Sequence, residues 1–215
     1  MIWPDEAETR VLLDHVERQE DGAADALWAR YRDGLRRAIA HRLDPALARR
    51  VDASDVVQDV LIKANQRLPE YLRNPALPFQ LWLRQIARDH VIDQHRKHRV
   101  AARRSIDREL PLRNPSLDGQ SSLDLAARLR DPALTPVAEA LRTELAMRFE
   151  TAIARLDDDD REVIVLRHVE QLSNGEAAKV LKLSEPAAGM RHLRALRKLR
   201  AILGDSPSLT GKETS

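Results

Sequence analysis

The chain has no cysteine, which removes disulfides, thiolate nucleophiles and thiolate-based zinc sites together and fits a reducing cytoplasm. Aromatic residues are nearly as scarce: three Trp, two Tyr and two Phe in 215 positions. Seven glycines provide no Gly-rich loop of the kind that cradles phosphate. No apolar run approaches the roughly 20 residues of a membrane helix, and the opening MIWPDEAETR lacks the charged and apolar regions of a signal peptide. A soluble cytoplasmic protein is expected. Alternating strand patterns and internal repeats are missing as well.

What the chain has in abundance is charge. Lys and Arg total 36 against 34 Asp and Glu, a net of +2, so any strongly basic surface has to be local. Helical periodicity is nearly continuous at first, predicting helices over 6–19, 23–43, 54–68 and 78–99. Between 105 and 136 it dissolves into Pro111, Pro115, Pro132 and Pro136 with the polar stretch 116–122 between them. That segment reads as a linker carrying one short helix at 123–129. Helices resume over 137–156 and 161–169, and the tail after Gly204 reads as disordered. The expected class is therefore all-α, with two small helical domains, 1–104 and 137–204, joined by a flexible linker at 105–136 and followed by a tail at 205–215.

The last folded stretch, LSNGEAAKVLKLSEPAAGMRHLRALRKLR, reads as a helix-turn-helix. Ser173 and Glu176 are spaced for a reciprocal cap on a short helix. Leu181, Lys182 and Leu183 form the turn, and Ser184 caps a second helix with Pro186 in its first turn, where a missing amide hydrogen costs little. On a helical wheel Leu193, Leu196, Leu199 and Leu203 fall on one side, expected to pack, and Arg191, Arg194, Arg197 and Lys198 on the other. Glu185 is the single carboxylate between Lys179 and Arg200. A capped pair of helices with one basic face is built to enter a DNA major groove.

Two stretches of the first domain carry further chemistry. DASDVVQDVLIKA, beginning at Asp52, turns Val57, Val60, Leu61 and Ala64 toward a core and leaves Asp55, Gln58 and Asp59 exposed together. PFQLWLRQIARDHVIDQHRKHR, beginning at Pro78, places Arg84, Arg88, His95 and Arg99 in one stripe within about 60°. The loop before it, 71–79, holds Tyr71, Asn74 and Phe79, a mixture suited to stacking on or enclosing an unpaired base. Trp82 reads as core, and His90 as a hydrogen-bonded core histidine.

At these residues the chain resembles the two modules of bacterial extracytoplasmic-function sigma factors of the sigma-70 superfamily. The likeness covers about 23–99 and 146–203, with the modules in the family's order. The resemblance implies a dissociable promoter-recognition subunit of RNA polymerase. In the family, the face matching Asp55, Gln58 and Asp59 docks on the clamp helices of the polymerase β′ subunit. The loop and helix matching 71–99 hold the −10 element as a melted single strand, which assigns Tyr71, Asn74, Phe79, Arg84, Arg88, His95, Arg96 and Arg99 to that role. The helix matching 184–200 reads the −35 element through Ser184, Ala187, Met190, Arg191, Arg194, Arg197 and Lys198, while its domain engages the β flap. An anti-sigma factor is a further implied partner. Lys182 stands where the family commonly has glycine, Gly189 where a basic or polar residue is frequent, and the linker is longer than is typical.

Two other readings are open to the residues themselves. A helix-turn-helix regulator independent of polymerase would bind a palindromic site as a dimer. A metal-dependent phosphohydrolase would use Asp157–Asp160, or Asp52 with Asp55 and Asp59, as magnesium ligands. The first group reads instead as the start of a helix, and His90, His95 and His98 point to different faces. No catalytic residue, metal ligand or cofactor is assigned.

Overall fold

The computed structural model describes residues 3–43, 47, 51–105 and 136–204, and the backbone alone of 99–105 and 136–143. Most of the linker, the short helix expected at 123–129, the tail 205–215 and the side chain of Arg99 lie outside the described residues. The described chain forms helices α1 (Glu6–Glu17), α2 (Ala23–Ala40), α3 (Ala53–Arg73), α4 (Phe79–Ser105), α5 (Pro136–Ala154), α6 (Asp158–Ile164), α7 (Asn174–Leu181) and α8 (Glu185–Gly204), with a π turn at Val165–Val169. No strand occurs among the described residues.

Local chemistry sets most of the boundaries. Gly22 takes a left-handed φ of +73° just before α2, a conformation that costs glycine little. Asp52 caps α3, its carboxylate accepting from the Ser54 amide at 2.8 Å. α3 runs five residues beyond the expected stop at 68, through Pro69 to Arg73. Burial of Leu68 and Tyr71 on either side of the proline compensates for the bond it cannot make, a loss of about 3 kcal/mol. Three other expectations need correction. α2 ends at Ala40 rather than 43, which frees Arg42 from the helix. α4 extends past Arg99 to Ser105. α6 starts at Asp158 rather than 161, because Asp157 accepts from the Asp160 amide at 2.9 Å and caps it.

Six of the seven aromatic side chains meet in the first core. Tyr31 and Phe79 are edge to face at 5.1 Å, Tyr71 and Phe79 at 5.4 Å, and Trp82 lies 4.7 Å from Tyr71. Buried Tyr31 shares a hydrogen bond with Thr9 at 2.6 Å, and desolvation pushes its phenol up to about 12. The second core is aliphatic, built from Ile153, Leu156, Ile164, Leu166, Val180, Leu181 and Leu199, and it also takes in Leu81 from α4. One helix thus serves both cores. Arg161 closes the end of α5 by donating to the carbonyls of Ala154 and Leu156 at 3.0 and 3.2 Å.

The two units pack directly on each other around a buried ionic network. Arg42, 2% exposed, donates two bonds to Glu162, Nε at 2.9 Å and Nη2 at 2.8 Å, and a third to the Ala38 carbonyl at 2.7 Å. Its Nη1 also lies 2.7 Å from Glu170 Oε1, and Arg84 donates from Nε to Glu170 Oε2. Two guanidiniums therefore face two carboxylates, with no net charge. Burial opposes the ionised form of Glu170, but the adjoining Arg42 and Arg84 outweigh it and hold the carboxyl below its ordinary range. Burial likewise opposes the Arg42 charge, which Glu162 and Glu170 more than restore.

Removing one partner leaves a buried charge uncompensated. Arg42→Ala should therefore lower the unfolding free energy by about 3–5 kcal/mol, read from urea melts; a change under about 1 kcal/mol would mean that water already solvates the network. Because Glu170 titrates lower in the folded chain than the roughly 4.3 of a free glutamate, its contribution is complete above that pH. It should fade as the pH falls further, through the folded value.

Candidate nucleic-acid interface

The helix-turn-helix is assembled by short-range chemistry. Ser173 accepts from the Glu176 amide at 3.2 Å while Glu176 accepts from the Ser173 amide at 2.7 Å, completing the reciprocal cap. Lys182 ends α7 in the left-handed region at φ +56°, so the geometry that glycine would adopt freely is imposed on a lysine. At Gly175 a Cβ would stand 2.9 Å from the carboxylate of exposed Glu185 at the start of α8, a contact that side chain can relieve by swinging away. Asn174 donates to the Glu185 carbonyl at 2.9 Å and fixes the corner. Ser184 accepts from the Ala187 amide at 3.4 Å.

The packed side of α8 differs from the expected leucine row. Ala188, Ala195 and Leu199 are buried, with Leu196 and Ile202 half-buried, whereas Leu193 is 49% and Leu203 37% exposed. Small side chains let α8 approach its neighbours closely, and the leucines on either side are turned out. Ser184, Ala187, Met190, Arg194 and Arg197 are exposed on the outer face. Arg191 and Lys198 turn instead to the acidic start of α6, Arg191 to Asp159 at 3.3 Å and Lys198 to Asp157 at 2.7 Å and to Asp160. Burial works against the Asp157 charge, but Lys198 and the Asp160 amide hold its carboxyl below the ordinary range.

In the first unit Asp55, Gln58 and Asp59 are exposed together along the first two turns of α3. Asp59 lies 3.4 Å from Nε2 of His90, whose Nδ1 is 2.7 Å from Lys63. The candidate base-binding residues separate. Asn74 is exposed at the end of α3, while Tyr71 and Phe79 are buried in the aromatic cluster, with the Tyr71 hydroxyl donating to the Leu77 carbonyl at 2.9 Å. The stripe on α4 meets the second unit at Arg84 and Arg88 and the first unit's own Arg42 at His95. Arg84 is 4% exposed against Glu170, and His95, also 4% exposed, pairs through Nε2 with the Arg42 carbonyl at 3.1 Å. Arg88 lies 3.1 Å from Asp89 and 3.5 Å from Asp159. Arg96 is exposed.

Comparison with known proteins fits this geometry. Residues 27–100 match the model of sigma-70 region 2, and residues 146–199 that of sigma-70 region 4. The chain is 35% identical to the RNA polymerase sigma factor CnrH of Cupriavidus metallidurans over 71% of its own length and 73% of the relative's. It belongs to the sigma-70 family, in the extracytoplasmic-function group. This sigma factor is also similar to the solved CnrH in complex with the cytosolic domain of CnrY, with a TM-score of 0.58 and 28% identity over 94% of the chain and 100% of that one. Its fold further resembles the sigma factor RpoE of Bartonella quintana, solved with the anti-sigma factor NepR, at TM-score 0.52 and 22% identity over 80% and 91% of the two chains. Members of this family are not enzymes but direct transcription initiation. No described helix is long and apolar enough to cross a membrane, and no cluster of three or more metal-binding side chains occurs among the described residues.

Four residues of the buried network carry no expectation from sequence: Trp3, Arg42, Glu162 and Glu170. One signal was available, since Val163–Leu166 is apolar on every face of a short helix, so a neighbouring Glu162 had to be buried and paired. A further unpredicted pair joins the π turn to α8. His168 Nε2 lies 2.8 Å from His192 Nε2, and the rings sit 5.0 Å apart. Burial lowers both imidazoles, helped at His168 by Arg167 and at His192 by His168 and then Arg167.

At that separation one nitrogen must donate and the other accept, which requires at least one neutral ring. The unfolded chain therefore takes up protons first as the pH falls, so the pair costs nothing well above the ordinary imidazole pKa of about 6.5 and destabilises the fold below it. His192→Gln should shrink the drop in melting temperature between pH 7.5 and pH 5.5. An identical drop in both proteins would show that the pair does not couple to folding.

Proposed function

We propose that this sigma factor binds core RNA polymerase in the cytoplasm through the exposed Asp55, Gln58 and Asp59 face, and reads promoters at two separated points. In this reading Asn74 and the basic residues of α4 hold the −10 element as single strand, and the outer face of α8 reads the −35 element. Melting needs no nucleotide hydrolysis, because a protein that binds the separated strand more tightly than the duplex draws the equilibrium toward opening. Arg88, Arg96 and their neighbours would supply the phosphate attraction, making binding steeply dependent on salt. Arg194 and Arg197, both exposed, would meet guanine edges or phosphates. The chain itself carries no catalysis.

The single observation that carries this reading is the pairing, in one chain, of a capped helix-turn-helix exposing Ser184, Ala187, Met190, Arg194 and Arg197 with a separate helix exposing Asp55, Gln58 and Asp59. In this reading the β flap would meet the second unit along α5 and α8, where a groove of mixed character is lined by Glu144, Met147, Arg148, Thr151, Arg155 and Ile202. An anti-sigma protein is the natural second partner, as it is for the RpoE of similar fold.

Capture of core polymerase by the purified chain, followed by runoff transcription from promoters induced on its overproduction, tests the whole proposal. Arg194→Ala should cost about 1–3 kcal/mol on promoters with an intact −35 element and little on those with that element scrambled. Asp59→Ala should weaken capture of polymerase with the order of promoter preference unchanged. A chain that never associates with core polymerase would overturn the proposal.

A further inference from the structure

Behind the exposed trio of α3 lies a buried imidazole. His90 of α4 is 5% exposed and stands between Asp59 and Lys63, two α3 side chains one helical turn apart. Lys63 Nζ lies 2.7 Å from its Nδ1, and Asp59 Oδ2 lies 3.4 Å from its Nε2. The Gln94 amide closes the Nε2 side at 3.3 Å. Its helix is anchored on either side by Ile86, Ala87 and Val91, all in the first core, so the ring is a fixed strut. Asp59 remains 54% exposed, and its carboxylate therefore meets the ring on one side and solvent on the other.

The chemistry of these groups decides where the ring carries its hydrogen. An ammonium has donors and no acceptor, so Lys63 donates to Nδ1, which must present a lone pair. A neutral imidazole then holds its single hydrogen on Nε2, directed at the Asp59 carboxylate. A second proton would sit on Nδ1, facing the Lys63 ammonium. Burial, and then Lys63, accordingly lowers the pKa of His90, while Asp59 raises it; from α4 itself Lys97 adds to the lowering and Asp93 opposes it.

We propose that His90 is a positioning residue for polymerase docking: held in one tautomer by Lys63, it aims the Asp59 carboxylate at a cation of the partner. This rests on the docking reading of Asp55, Gln58 and Asp59 given above. A free surface aspartate samples several rotamers, and fixing it before encounter spares part of the entropy that association would otherwise remove. The strut also makes docking sensitive to acid. An imidazolium at His90 pushes Lys63 away and pairs more strongly with Asp59, and a cation seated on Asp59 opposes that proton, so protonation and docking compete. Because the pKa of His90 lies below the ordinary imidazole value of about 6.5, affinity is insensitive to this group well above that pH and falls beneath it.

The test measures the affinity of the full-length chain for core polymerase by fluorescence anisotropy, at pH 7.5 and pH 5.5. At the higher pH His90→Leu should weaken binding about three- to tenfold, a coupling of the size seen between groups in contact. His90→Gln, which brings an amide N–H near the place of Nε2, should restore most of the loss. Lys63→Met should reproduce part of it and move the onset of the acid loss to higher pH, since the ammonium that opposes the second proton is gone. In an Asp59→Ala background neither His90→Leu nor Lys63→Met should cost anything further. Wild type should lose more affinity than His90→Gln on going to pH 5.5. Circular dichroism melts identify a His90 variant that has lost its fold, in which case Lys63→Met alone and with Asp59→Ala decides. Losses that persist undiminished in the Asp59→Ala background, or equal acid losses in wild type and folded His90→Gln, overturn the positioning role. Full affinity in Asp59→Ala alone is a separate failure, which sinks the docking reading on which that role rests.

Discussion

Four charges that cancel, sealed between two helical units, set the terms for the rest of this structure. Arg42 and Arg84 face Glu162 and Glu170 with side-chain exposures of 6% or less. A low-dielectric site tolerates ions only when each has a counter-charge and its hydrogen-bonding capacity is used. The ions pair only when Arg42 just after α2, Arg84 of α4, Glu162 of α6 and Glu170 just after the π turn meet in a single register, so the network specifies how the two units pack. Arg84 is drawn inward by it, and the remainder of the α4 stripe follows, since residues at that spacing share one face of a helix.

The same constraint explains a composition that is nearly balanced overall yet locally lopsided. The basic faces of α4 and α8 would repel one another if pressed together bare. The acidic first turn of α6 lies between them, with Asp157, Asp159 and Asp160 each taking a cation from a neighbour. Carboxylates in a first helical turn are favoured by the helix dipole in any case, so one short cluster caps α6 and neutralises two surfaces. A net charge of +2 is what remains once these positives and negatives have been matched.

What could be read from the sequence follows the range of each interaction. The helix-turn-helix was legible because its determinants, the Ser173 and Glu176 cap and the Ser184 cap, act over three residues. The exposed trio on α3 was legible because period alone separates it from Val57, Val60 and Leu61. Period also grouped Arg84, Arg88 and His95 correctly, but it is silent on what a face meets, and here the stripe meets Glu170, Asp159 and the Arg42 carbonyl across the chain. The packed side of α8 was misjudged for a related reason: hydrophobicity ranked leucine over alanine, whereas close helix approach at Ala188 and Ala195 selects for size. Trp3 gave no local sign of its partner, which lies 167 residues away.

The scarcity of aromatic residues has an optical consequence. All three indoles, Trp3, Trp28 and Trp82, sit in the first unit, and Phe149 is the only Phe, Tyr or Trp of the second. Near-ultraviolet absorption and emission therefore come almost wholly from one half of the molecule, with Trp3 placed at the seam and the other two packed in the first core. The native chain carries its own spectroscopic gauge of the seam, with no label to attach and a dark second half that adds almost nothing to the signal.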